Sequence, residues 1–190
     1  MKKNRMILLL AVVLWLTSSV SAATIDRIAV RSEAMKKEIP VVVIVPDAAK
    51  SGVRMPVLYL LHGYSGDQET WLNVKPSLPQ MADRDSVIVV CPDGENSWYW
   101  DSPKDPSSRF ETFVARELID YVDAHYPTRG DRSGRAITGL SMGGHGGLGL
   151  SAPADRRAAA WISVLSPRTG KWPNSSARRR PTARRGTTIR

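Results

Sequence analysis

The chain has 190 residues, 42% of them apolar, with a formal net charge of +9 and one cysteine. That length suffices for one domain with a real core, and a lone cysteine excludes an intramolecular disulfide. The charge alone would suit a nucleic-acid binder, but residues 168–190 hold seven arginines, one lysine and no acid, leaving 19 basic and 18 acidic side chains in residues 1–167. The basicity therefore belongs to one segment, and a nucleic-acid partner is not expected.

Lys2, Lys3 and Arg5 precede an unbroken apolar run, Met6 to Leu16, and then the small residues Thr17 to Ala23. This order predicts a signal peptide over residues 1–22, cleaved after Ala22 or Ala23. Eleven apolar residues are too few for a transmembrane anchor, which needs about 20. No cysteine follows the run to carry a lipid. The expected location is secreted or periplasmic, with no membrane attachment after cleavage.

Ile25–Arg31 and Ile39–Val45 predict early strands, followed by turns at Pro46-Asp47 and Lys50-Ser51-Gly52. The apolar run Pro56–Leu61, bounded by His62-Gly63, predicts a buried strand. Ser77–Ala82 suggests a short helix, and Val87–Cys91 a second buried strand with Cys91 as a small core residue. Pro92 to Ser108 is rich in Pro, Asp, Ser and Gly and predicts a loop. In Arg109–His125, Phe110, Phe113, Val114, Leu118, Ile119 and Val122 recur at helical spacing, and Pro127 and Gly130 end the run. A strand over Ala136–Leu140, a helix after it and a further strand over Ala158–Leu165 complete the series. Apolar strands separated by helices define the α/β class, with a mostly parallel sheet covered on both faces.

Between the strand and helix near residue 140 lies Gly139-Leu140-Ser141-Met142-Gly143, a G-x-S-x-G pattern. A strand, a sharp turn with serine at its apex and a helix make a nucleophile elbow. The apex residue is strained, which projects its hydroxyl clear of the sheet. Side chains two residues before and after would clash, hence Gly139 and Gly143. The pentapeptide alone also fits a plain glycine-rich turn; the strand and helix around it favour the elbow.

Several further stretches, in order, carry a family resemblance. Leu58-Tyr59-Leu60-Leu61-His62-Gly63-Tyr64-Ser65-Gly66 resembles the oxyanion-loop segment of the esterase D-like α/β-hydrolases. These include S-formylglutathione hydrolases, tributyrin-type esterases, feruloyl and acetyl-xylan esterases, and mycolyltransferases. Cys91-Pro92-Asp93-Gly94, then Ser97-Trp98-Tyr99-Trp100-Asp101-Ser102-Pro103, is similar to the same family. So are Glu111-Thr112-Phe113, Glu117-Leu118-Ile119, Tyr126 and the elbow continued by Gly144-His145-Gly146. The resemblance covers roughly Ile25 to Gly149 and is most evident to small secreted bacterial esterases.

The resemblance implies an α/β-hydrolase sandwich in which Ser141 attacks an ester carbonyl and forms an acyl-enzyme. It implies two main-chain oxyanion donors, the N–H groups of Tyr64 and Met142. Trp98, Tyr99 and Trp100 would line an acyl or sugar subsite beyond a strand end, or else pack the loop down. His62, His125 and His145 read as structural, and Asp93, Asp101 and Asp123 as turn or surface carboxylates. No spacing suggests a metal site, no phosphate- or dinucleotide-binding glycine pattern occurs, and no cofactor is expected.

In α/β-hydrolases an acid and then a histidine follow the serine. Here Asp155 and His145 are the acid and histidine after Ser141. Asp155 follows the elbow too closely, and His145 stands on the elbow helix. Pro153 would break that helix. The expectation is a partial esterase domain over residues 23–167, its sheet incomplete at the C-terminus through truncation or frameshift. Residues 168–190 would be a basic disordered or out-of-frame tail. The expected parent activity is serine carboxylic-ester hydrolysis on short-chain or polysaccharide-linked esters, weak or lost in this chain. An acyltransferase of the same fold and a non-catalytic glycan- or polyanion-binding remnant are the alternatives.

Overall fold

Where a strand is covered on both faces, apolar residues run along it without polar interruption. In a computed structural model, residues 23–151 and 159–160 are described. Strands β1 (Thr24–Ser32) and β2 (Lys37–Val45) form an antiparallel hairpin, registered from Thr24 opposite Val45 to Ser32 opposite Lys37. Strands β3 (Val57–Leu61) and β4 (Ile88–Pro92) are buried at every position. β5 (Arg135–Gly139) and the short β6 (Ala159–Ala160) extend the sheet. The order is β1-β2-β4-β3-β5-β6. The first two pairings are antiparallel, and β4–β3, β3–β5 and β5–β6 are parallel.

The period of two along each strand sorts side chains into two cores. Val41, Val43, Val57, Tyr59, Leu61, Ile88, Val90 and Ile137 face one side. There they meet a helix, α3, that runs as Phe110–Thr112, a π-helical stretch Phe113–Glu117 and Leu118–His125. Its Phe110, Phe113, Val114, Leu118, Ile119 and Val122 are the residues the helical spacing picks out, and all are buried. Truncating one such ring to alanine costs about 3–5 kcal/mol. Val42, Ile44, Leu58, Leu60, Val89 and Cys91 face the other side, against Trp71, Leu78 and Ala82. Those three belong to α1 (Thr70–Val74) and α2 (Leu78–Asp85). Burial raises the pKa of the Cys91 thiol, and the negative charge of Glu69 adds to the shift. Cys91 is a core residue, as its strand context predicts.

Two polar ties lock the layers together. Glu117 accepts from the Ser32 hydroxyl at 2.6 Å and the Ala34 N–H at 2.9 Å, joining the β1–β2 turn to α3. Asp123 on α3 pairs with Arg135 at the start of β5 and accepts from Thr128 Oγ1 at 2.6 Å. Arg135 is almost fully buried. Asp123 is therefore not the simple turn or surface carboxylate the sequence suggests.

The predicted strands and α3 fall within a residue or two of the observed ones. Helix α1 lies in a stretch for which no element is predicted. Asp67 starts it locally: its N–H donates to Thr70 Oγ1 at 2.9 Å, and its carboxylate accepts from the Glu69 N–H at 2.9 Å. The expected strand over Ala158–Leu165 is described only at Ala159–Ala160, paired with Ala136 and Ile137. The signal peptide expected at 1–22, Pro153, and the tail at 168–190 lie outside the described residues.

Candidate active site

β5 ends at Gly139, and helix α4 (Met142–Ser151) begins three residues later. Between them Ser141 has a φ of 52°, the left-handed region that a side chain enters only under constraint. It is exposed, and its hydroxyl bonds to no other described residue. The constraint comes from backbone packed too tightly for side chains. A Cβ on Gly139 would lie 2.5 Å from the Gly143 carbonyl carbon and 2.6 Å from the Leu61 oxygen. One on Gly143 would run into the carbonyls of Leu61 and His62. The turn is closed by Gly143 N–H to the Leu140 oxygen (2.8 Å) and by Leu140 N–H to the Leu61 oxygen (3.1 Å).

Strand β3 leads into the second part of the site. A Cβ on Gly63 would stand 3.6 Å from the Ser141 Cβ, so the Gly63-Tyr64 turn lies against the serine. The Tyr64 side chain is exposed, as expected where only its main chain is needed. The Tyr64 and Met142 N–H groups donate to no other described residue, and Met142 stands at a helix N-terminus, where donors are free and the dipole favours negative charge. The loop is held by Asn96, whose Oδ1 accepts from the Ser65 N–H at 2.8 Å. Sequence reasoning passed over Asn96; its place in a turn-rich segment was the available signal.

His62 is buried and bonded at both ring nitrogens. Nδ1 lies 2.7 Å from the Gly63 oxygen, and Nε2 accepts from the Gly94 N–H at 2.8 Å. Asp93 Oδ1 stands 3.4 Å from the same Nε2. Burial disfavours the charged Asp93 carboxylate, while the Glu95 N–H at 2.8 Å and the Lys37 ammonium favour it. Asp101 accepts from both the N–H (2.9 Å) and the hydroxyl (2.6 Å) of Thr112, fixing the first turn of α3. His125 stacks on Tyr121 at 4.0 Å, with Nδ1 2.7 Å from the Tyr121 oxygen.

The three rings expected to share one role divide. Trp98 and Trp100 are exposed, about half of each reaching solvent. His145, one turn beyond Ser141, sits between them, with centroids at 5.6 Å and 5.3 Å. Tyr99 is fully buried, which corrects the expectation that it lines a subsite. Its ring is wedged between Gly94 and Gly146, with no room for a Cβ on either. Its hydroxyl accepts from the His62 N–H at 3.0 Å. Burial raises the Tyr99 pKa, so the phenol stays neutral. Its φ of 59° follows Trp98 at 58°, and this pair of left-handed residues turns one ring inward and its neighbours outward.

Among the described residues no group of three His, Cys, Asp or Glu side chains converges to hold a metal ion. No helix among them is long and apolar enough to cross a membrane.

The strand order, the antiparallel β2 inside an otherwise parallel run and a strained serine between β5 and α4 together define an α/β-hydrolase. Residues 32–187 match the putative esterase family, and the chain belongs to it. The match continues through most of the basic segment that composition sets apart. The chain is 38% identical over 94 residues to an acetyl esterase of Caldicellulosiruptor saccharolyticus, covering 50% of this chain and 35% of that protein. It is 33% identical over 114 residues to an esterase of Mycobacterium tuberculosis, covering 58% and 25%. It thus spans about a quarter to a third of the length of these relatives. Among solved structures, a ferulic acid esterase superposes with a TM-score of 0.65 at 26% identity, over 75% of this chain and 57% of that one. An S-formylglutathione hydrolase from Agrobacterium tumefaciens gives 0.60 at 25% identity, over 69% and 53%.

Proposed function

We propose that this chain is a secreted carboxylic-ester hydrolase working through an acyl-Ser141 intermediate. The observation that carries the reading is the strained, exposed Ser141 beside two free main-chain donors, Tyr64 N–H and Met142 N–H. Ser141 Oγ adds to the ester carbonyl carbon as its proton passes to solvent water, which returns a proton to the departing alcohol oxygen. The resulting oxyanion accepts from the two N–H groups, collapse expels the alcohol portion, and water releases the acid from the acyl-serine. Secretion is inferred from residues 1–22 and is tested by N-terminal sequencing of the extracytoplasmic protein.

The base that takes the Ser141 proton is the weak point of this chain. All three histidines are described: His62 is bonded at both nitrogens, His125 stacks on Tyr121, and His145 lies between Trp98 and Trp100. With no imidazole on the serine, the 190-residue chain keeps only what the oxyanion donors and binding supply, about 10³–10⁴ over water. Trp98 and Trp100 offer exposed apolar faces around His145, one turn beyond Ser141, which suits short-chain acyl groups or sugar-linked esters. The assay is hydrolysis of p-nitrophenyl acetate by the wild type and by Ser141→Ala. Equal turnover by the two would sink the proposal. The same intermediate could pass its acyl group to an alcohol, and product analysis with added sugar would reveal such transfer.

A further inference from the structure

We infer that His62 is a positioning residue for the oxyanion site: through the Gly63 carbonyl it sets the orientation and donor strength of the Tyr64 N–H. The inference rests on the proposed role of that N–H. The Gly63 carbonyl and the Tyr64 N–H are the two ends of one planar peptide, so fixing the oxygen fixes the direction of the N–H. The Gly63 oxygen receives two donors, the His62 ring at 2.7 Å and the Gly66 N–H at 3.0 Å. The proton on the ring is located by its other nitrogen. Nε2 faces the Gly94 N–H at 2.8 Å, and a main-chain N–H can only donate, so Nε2 presents a lone pair. The neutral ring then carries its proton on Nδ1 and donates it to Gly63. Hydrogen bonds polarise one another along a chain, so two donors on the carbonyl strengthen the N–H at the other end of the peptide.

The surroundings leave this peptide little freedom. A Cβ on Gly66 would lie 2.7 Å from Thr70 Oγ1 and 3.0 Å from His62 Nδ1, so the turn is closed over the ring. The ring is 1% exposed and meets the edge of Tyr99 at 5.7 Å. With both nitrogens engaged, His62 has no atom free to serve Ser141 as a base. Its effect on chemistry passes through the peptide.

The experiment compares His62→Asn, His62→Gln and Asn96→Ala by NMR of the Tyr64 amide and by the labelling rate of Ser141 with a fluorophosphonate. The asparagine amide stands where Nδ1 stands and can still donate to Gly63; the glutamine reaches only the Nε2 position. Asn96→Ala loosens the same loop without touching the Gly63 carbonyl. His62→Gln should move the Tyr64 amide proton upfield and slow labelling about tenfold or more, short of the about 10²–10³ for losing an oxyanion donor outright. His62→Asn should keep the wild-type amide shift and most of the rate. A Tyr64 amide unmoved in His62→Gln would overturn the inference, as would an Asn96→Ala rate as low as that of His62→Gln. In the unsubstituted chain, ring 15N shifts should report the Nδ1-protonated tautomer; the Nε2-protonated tautomer would overturn the inference without any variant. Labelling that survives Ser141→Ala would instead remove the esterase reading, and the Tyr64 amide would still decide whether His62 holds the peptide.

Discussion

Gly146 and Gly147 are neighbours on α4, yet replacing each with alanine should change stability in opposite directions. Both lie inside the helix, and neither has a positive φ, so alanine gains about 1 kcal/mol of helix propensity at either site. The surroundings differ. A Cβ on Gly147 would find the Thr138 Cα at 3.6 Å, an ordinary contact. A Cβ on Gly146 would find the Tyr99 Cβ and Cδ2 at 2.7 Å and Cγ at 2.9 Å. Tyr99 cannot yield, because Gly94 closes its other face and its hydroxyl is tied to the His62 N–H. Overpacking of this kind costs about 1–3 kcal/mol or more, which outweighs the propensity gain. Gly147→Ala should therefore be stabilised by up to about 1 kcal/mol, and Gly146→Ala destabilised by about 1–2 kcal/mol. At about 2–4 °C per kcal/mol for a chain of this size, the two melting temperatures should stand several degrees either side of wild type. Urea unfolding followed by circular dichroism supplies the free energies. Midpoints that move the same way in both variants would refute the reasoning, since propensity alone would then explain them.

Asp123→Ala removes the carboxylate paired with the buried Arg135 guanidinium; breaking a buried pair costs about 3–5 kcal/mol. Because Asp123 is 24% exposed, the loss should fall at the lower end, whereas Asp123→Leu with Arg135→Met should recover much of it in urea unfolding. Trp98→Ala and Trp100→Ala should raise KM for a sugar-linked acetyl ester with little change for p-nitrophenyl acetate, and equal effects on both substrates would argue against an alcohol-side subsite at these rings.

The buried strands were legible because a strand covered on both faces leaves one pattern, an unbroken run of Val, Ile and Leu. The sequence of α3 was legible for the converse reason: six apolar residues mark one stripe of a helix buried on one side. Helix α1 was not, since five residues around a single buried Trp71 display no period. The elbow could be read because its glycines answer a steric need local to the turn. Trp98, Tyr99 and Trp100 look alike in sequence; Tyr99 is the buried one only because Gly94 and Gly146, from separate segments, leave a slot for its ring. The pairing of Asp123 with Arg135 was equally hidden, since it depends on how α3 settles across β5. His62 read correctly as structural, but nothing in the sequence names the peptide it holds.

Leu61 and Gly139 are register partners on adjacent parallel strands; His62 follows the first directly, and Ser141 stands two residues beyond the second. The separation between the serine and the oxyanion peptide is thereby set by a backbone ladder of about 4.8 Å per strand. No side chain enters that spacing. The exposed indoles hang on a different connection, the loop between β4 and α3. That loop also brings the Gly94 N–H to His62, the Asn96 oxygen to the Ser65 N–H and the Tyr99 hydroxyl to the His62 N–H, so replacing the two indoles would alter what is recognised with the reacting geometry kept, whereas exchanging the whole loop would disturb both.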